Sequence, residues 1–144
     1  MNLVNNRYET GGVDLLNIAE EFGTPVYVYD AQKIRDQYTL LTSAFSDVNV
    51  KIRYACKALT NQNILRLLKG LGSGLDTVSI EEVELGIKAG YQPEEIIFTP
   101  NGVSIEEINK AVEIGVTINI DNISILEQFG NIHGAKVPIC IRLN

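Results

Sequence analysis

The pentapeptide "SIEEV" that begins at Ser79 returns as "SIEEI" at Ser104, 25 residues later. In both copies a Ser stands before an apolar periodicity and a Glu stands three places on. That is the pattern of a capping box: the Ser oxygen accepts from the N3 amide, and the Glu reaches back to the amide of the cap. Ile80, Val83 and Ile87 then form an i, i+3, i+7 stripe, matched by Ile105, Ile108 and Val112. Gly90 and Gly115 fall where a helix is followed by a C′ glycine. A strand-like run precedes each helix, "GLDTVS" and "EIIFTP". The chain therefore repeats a βα unit about every 23 to 25 residues, and such repeats build either a doubly wound sheet or a (β/α)8 barrel.

The alternation extends in both directions. Strand-like "VKIRYAC" precedes helical "NQNILRLLKGL", "VTINID" precedes "NISILEQFG", and "VPICIRLN" is a fifth strand. Upstream, the spacing predicts a helix in "GVDLLNIAEEFG", a short strand over Val26–Tyr29, and a helix from about Ala31 to Phe45. A barrel needs eight strands and about 250 residues, so on that reading the chain is part of one. Five strands would complete a doubly wound sheet. That alternative lacks a G-x-G-x-x-G after its first strand and any Walker A sequence. Strand count and length alone favour the doubly wound sheet, while the missing motifs leave the barrel open.

Composition narrows the partners. A net charge of −6 with no basic stripe argues against nucleic acid. No run of about 18 apolar residues is present, so no membrane span is expected, and "MNLVNNRYETGG" shows no signal peptide. Cys56 and Cys140 both sit in apolar strand-like runs, which predicts buried free thiols and a reducing, cytoplasmic setting. Neither H-E-x-x-H nor C-x-x-C occurs, and no metal site is expected.

Lys57, in "KIRYACKALTN", is the leading candidate for chemistry. It falls at the C-terminal end of a strand, where (β/α)8 proteins place their functional side chains. Strand alternation would put Arg53, Ala55 and Lys57 on one face and Ile52, Tyr54 and Cys56 on the other. A partly desolvated amine has a lowered pKa and suits imine formation with an aldehyde; a lysine snorkelling to solvent is the bland alternative. Asp76, in "GLDTVS", would help position the lysine or a cofactor, or would order a loop. Glu82 is accounted for as the N3 member of a capping box. Arg142, near the end of "ICIRLN", must be paired or must meet a ligand anion. His133, in "GNIHGAKVP", reads as a surface loop position.

These segments together resemble the fold-type III pyridoxal-phosphate decarboxylases, and within them the diaminopimelate decarboxylase branch. "YACKALTN" is similar to that family's Y-A-x-K-A segment on the first barrel strand. "GLGSGLDTVSIEEVELGIKAG" resembles its glycine-rich second strand and following S-x-x-E, "IIFTPNGVSIEEI" its third strand, turn and helix, and "EEFGTPVYVYD" its N-terminal entry. The resemblance runs from about Gly12 to Asn144. It implies an α/β fold, the N-terminal part of a TIM-type barrel with about five of eight strands, with residues 31–144 as a partial pyridoxal 5′-phosphate-binding barrel. Residues 1–30 would then be a separate helix and strand segment belonging to a C-terminal β-domain. It implies that Lys57 is the lysine joined to the cofactor as a Schiff base, with Asp76 and Arg142 beside the cofactor.

The activity so implied is decarboxylation of an amino acid, meso-diaminopimelate to L-lysine and carbon dioxide, by a longer enzyme expected to be a homodimer. Arginine, ornithine and carboxynorspermidine are alternative substrates. A non-catalytic remnant or regulatory partner of such an enzyme is the competing class. On this view the 144 residues alone are expected to be inactive, because the family's stacking histidine, glycine-rich phosphate loop and proton donor come from segments beyond this sequence.

Overall fold

Two adjacent asparagines turn the chain back on itself near its start. Asn5 and Asn6 both have positive φ, +48° and +62°, which a two-residue hairpin loop of matching twist requires. They join β1 (Asn2–Val4) to β2 (Arg7–Thr10), and β3 (Val13–Asp14) adds to the far side of β2, all antiparallel. This small sheet was not anticipated from the polar N-terminal sequence. Asp14 caps α1 (Leu15–Phe22) by accepting from the Leu16 amide at 2.9 Å, and Asp30 caps α2 (Ala31–Ala44) by accepting from Lys33 at 3.0 Å. The Val26–Tyr29 run, expected as a strand, pairs in no ladder among the described residues. Its Val and Tyr side chains have strand character, but a strand also needs a neighbour to bond to.

The computed structural model describes residues 1–143. They divide into two units, Met1–Asn49, which holds the elements above, and the described part of Val50–Asn144. Asn144, the end of the expected fifth strand, lies outside the described residues.

The second unit is one parallel sheet of five strands: β4 (Arg53–Ala55), β5 (Gly74–Thr77), β6 (Ile96–Phe98), β7 (Thr117–Ile120) and β8 (Ile139–Ile141). Spatial order follows chain order without reversal. A doubly wound sheet needs a point where the order reverses; an arc of a barrel does not. The strand order thus decides between the folds that the periodicity left open. The connections are α3 (Gln62–Gly70), α4 (Ile80–Lys88), α5 (Ile105–Ile114) and α6 (Ile123–His133).

The pairing register assigns the two faces. Leu75, Thr77, Ile96, Phe98, Ile118 and Ile120 alternate onto one face and are all buried. Leu65, Val83, Ile108, Ala111 and Phe129 from the helices join the same core. Thr77, the polar member of that row, donates its hydroxyl proton to the Ile97 carbonyl at 3.0 Å, so burial leaves it satisfied. The opposite face carries Arg53, Ala55, Gly74, Asp76, Ile97, Thr117, Asn119 and Cys140. Cys140 is exposed there, whereas Cys56 is buried. The expectation of two buried thiols therefore holds for one: an apolar run alone did not say which face its cysteine would occupy.

The twin helices end alike. Tyr91 donates to Gly86 at 3.1 Å and Val116 to Ala111 at 3.3 Å, the 6→1 bonds of a Schellman motif. Gly90 and Gly115, at φ +99° and +90°, occupy the left-handed position that motif requires. Their starts differ. Ser104 and Glu107 form the full reciprocal box, with Glu107 accepting from the Ser104 amide at 3.0 Å. Ser79 accepts from the Glu82 amide, but the Glu82 carboxylate takes the Val78 amide at 2.9 Å, one residue upstream of the cap. The expected reciprocal box at Ser79 is therefore half formed, because Glu82 is drawn inward and buried.

Candidate functional site at the carboxyl edge of the sheet

β4 ends at Ala55, and the next three residues, Cys56–Ala58, form a single 3₁₀ turn. The turn is closed by the Leu59 amide on the Cys56 carbonyl at 3.0 Å, and the Tyr54 hydroxyl donates to the Leu59 carbonyl at 3.2 Å. Lys57 thus stands on a braced turn just past the strand. The simple alternation expected to carry it onto the Ala55 face stops at the turn. Its side chain is exposed, so the expected desolvation is absent from this structure. Cys56 beside it is buried, and its thiol is pushed up to about 11, first by that burial and then by the negative charge of Glu82.

Asp76 lies one strand away, paired in register with Ala55. Its Oδ1 accepts the Thr99 hydroxyl at 2.7 Å, and Thr99 Oγ1 in turn accepts from Asn119 Nδ2 at 2.9 Å. Thr99 follows β6 and Asn119 lies in β7, so three successive strand ends are linked. Sequence reasoning singled out neither Thr99 nor Asn119. The available signal was "FTP" and "INID", where a polar side chain breaks an apolar run at the same point of two successive βα units.

Arg142 follows β8, and its amide donates to the Ile120 carbonyl at 2.9 Å, extending the ladder past Ile141. Its side chain is exposed, and it makes no ion pair among the described residues. Lys57, Asp76 and Arg142 therefore all stand at the carboxyl ends of strands in one parallel sheet, on its first, second and fifth strands. His133 is not a loop residue but the last of α6, half-buried, with Nε2 2.7 Å from Asn109 Oδ1 and its ring against Phe129. It sits at the other end of that βα unit. Arg53 shares the polar sheet face, and its Nε is buried with no hydrogen-bond partner among the described residues. No described helix is long and apolar enough to cross a membrane.

Lys57, Asp76 and Arg142 thus bring an amine, a carboxylate and, among the described residues, an ion-unpaired guanidinium to the carboxyl edge of one parallel sheet. The sequence profile described as "Pyridoxal-dependent decarboxylase, pyridoxal binding domain" matches residues 31–144, and the chain belongs to that family. Its five strands are the N-terminal part of the family's barrel. The chain is 40% identical over 136 residues to the diaminopimelate decarboxylase of Methanothermobacter thermautotrophicus, covering 93% of this chain and 32% of that protein. It superposes on the crystal structure of diaminopimelate decarboxylase from M. jannaschi with a TM-score of 0.88 at 29% identity, covering 99% of this chain and 35% of that one. On the Helicobacter pylori diaminopimelate decarboxylase complexed with L-lysine, the TM-score is 0.78 at 35% identity, over 90% of this chain and 34% of that one. The chain thus spans about a third of the length of the relatives it matches.

Proposed function

We propose that this chain is the cofactor-holding part of a diaminopimelate decarboxylase, which converts meso-diaminopimelate to L-lysine and carbon dioxide. The carrying observation is the placement of Lys57, Asp76 and Arg142 at the carboxyl ends of β4, β5 and β8. The donor set fits pyridoxal 5′-phosphate: an exposed primary amine suits its aldehyde, and an unpaired guanidinium suits an anion. Lys57 would hold the cofactor covalently, with its backbone braced by the turn so that only the side chain moves. Asp76 would help position the lysine or the cofactor, and Arg142 would meet an anionic group. When bound, the cofactor supplies the electron sink for the pair left by the departing carboxylate.

The substrate assignment draws on the named relatives, and the amino-acid ligand on the lysine complex. A homodimeric full-length protein, a cytoplasmic location and a domain division at residue 30 belong to the same proposal. The family match supports the last, beginning at residue 31. The test is borohydride reduction of the full-length protein with cofactor, followed by peptide mapping. The label should fall on Lys57, and Lys57→Ala should abolish both labelling and carbon dioxide release from meso-diaminopimelate. Lys57→Arg should do no better, because a guanidinium does not form this bond. A label on another residue overturns the assignment.

A further inference from the structure

Thr99 has one hydroxyl proton, and the structure shows where it goes. Asn119 Nδ2 can only donate, so it occupies a lone pair of Thr99 Oγ1 at 2.9 Å. The Thr99 proton is then free to go to Asp76 Oδ1 at 2.7 Å, an acceptor-only partner when the carboxyl is ionised. The chain of bonds has one direction, amide to hydroxyl to carboxylate, and each bond polarises the next. It crosses three strands at the edge that carries Lys57. Among the described residues Asp76 Oδ2 accepts no hydrogen bond, Asp76 is only half-buried, and its register neighbour on the Lys57 side is the small Ala55.

We infer that Asn119 and Thr99 are positioning residues that fix the Asp76 carboxylate through Oδ1 and so present Oδ2 to the cofactor. The inference rests on reading this edge as the pyridoxal 5′-phosphate site. It adds that the carboxylate's aim is set from β6 and β7, not from its own strand. Without the Thr99 proton the carboxylate turns about its own bond, and the cofactor must order it on binding. Asn119 acts only through Thr99, so its loss matters only while the Thr99 hydroxyl is present.

A double-mutant cycle on the full-length protein tests this, read as the dissociation constant for pyridoxal 5′-phosphate from absorbance titration, with thermal midpoints alongside. Thr99→Val should weaken cofactor binding about tenfold, the size of one hydrogen bond to a charged group. Thr99→Ser should restore it to within about twofold, and Asn119→Ala should weaken it by about threefold. The double variant should be no worse than Thr99→Val alone. Additive losses, or an unchanged constant in Thr99→Val, overturn the relay. If Thr99→Val fails to fold, Asn119→Ala decides: a normal midpoint with no loss of affinity also overturns it. Reductive labelling separates this from the parent reading. A label away from Lys57 with the coupling intact sinks the Lys57 assignment and keeps the relay, and a label on Lys57 with additive losses sinks only the relay. A wild-type protein that binds no cofactor overturns both.

Discussion

The two copies of Ser-Ile-Glu-Glu start helices of the same βα design, yet their N3 glutamates do different things. Glu107 closes a surface cap on the Ser104 amide, while Glu82 is buried and takes the Val78 amide instead. The neighbourhood makes the difference. Glu82 lies close enough to Cys56, the residue before Lys57, for its charge to help raise that thiol. One copy of the motif closes on its own cap; the other ties the residue before the cap, in the loop after β5, to the first turn of α4. A local pattern sets which groups are offered, and the tertiary surroundings choose which amide is taken.

The largest effect should come from breaking this asymmetry at Glu82. Glu82→Ala leaves the Val78 amide without its acceptor and should cost about 2–3 kcal/mol by urea denaturation, against about 1 kcal/mol for Glu107→Ala. Glu82→Gln keeps an acceptor and should recover most of the loss. It also removes the charge facing Cys56, so the thiol should ionise below its present value of about 11. Burial, the larger cause, should hold it above the ordinary 9.0. Thiolate absorbance against pH reads this directly, and an unmoved midpoint would show that Glu82 does not act on Cys56.

Next in size is the helix interior. Gly86 in α4 stands where α5 has Ala111. A Cβ on Gly86 would lie 2.6 Å from Leu75 Cδ2 and 3.1 Å from Ile96 Cδ1, whereas Ala111 is fully buried with its methyl accommodated. Gly86→Ala gains about 1 kcal/mol of helix propensity. It should still be net destabilising by about 1 kcal/mol, because overpacking costs about 1–3 kcal/mol. A more stable Gly86→Ala protein would mean that the α4–sheet contact is looser than its twin.

Smaller still are the caps. Ser104→Ala and Ser79→Ala should each cost about 0.5–2 kcal/mol, toward the lower end, since the bonds they accept are 3.4 and 3.3 Å long. The Ser104→Ala cost should couple to Glu107→Ala, whereas Ser79→Ala and Glu82→Ala should be nearer additive, because their acceptors serve different amides. Last comes the exposed bridge between the twins, Lys110 Nζ to Glu84 Oε1 at 2.7 Å. It holds the Glu84 carboxyl below its ordinary 4.5. Whatever the pair contributes is therefore present above pH 4.5 and fades as the pH falls below that value. Lys110→Ala should leave the denaturation midpoint at neutral pH within error.

Much of this was legible. The apolar stripes, Schellman glycines and strand runs placed α3 to α6 and the sheet between them, and Lys57, Asp76 and Arg142 were found where strand ends were expected. What was hidden depends on neighbours distant in sequence. The destination of the Glu82 carboxylate and the lateral bonds of Thr99 and Asn119 are set by adjacent units, which periodicity within one unit does not reveal. Cys140 shows the same limit, since an apolar run does not say which side of the sheet will be covered. The N-terminal hairpin was a different kind of miss. Its signal, Asn5–Asn6 between short strand-forming runs, was present but lay in a polar stretch.

The unreversed strand order has a consequence in time. Each ladder of the sheet joins residues about twenty apart in the chain, from Arg53 with Gly74 to Ile118 with Ile139, so closing each loop costs little entropy. At a synthesis rate of about 5–20 residues per second, each strand follows its partner out of the ribosome within about 1–4 s. Within these five strands each one pairs with its predecessor in the chain, so this arc of the sheet can be laid down one strand after another from Arg53 onward.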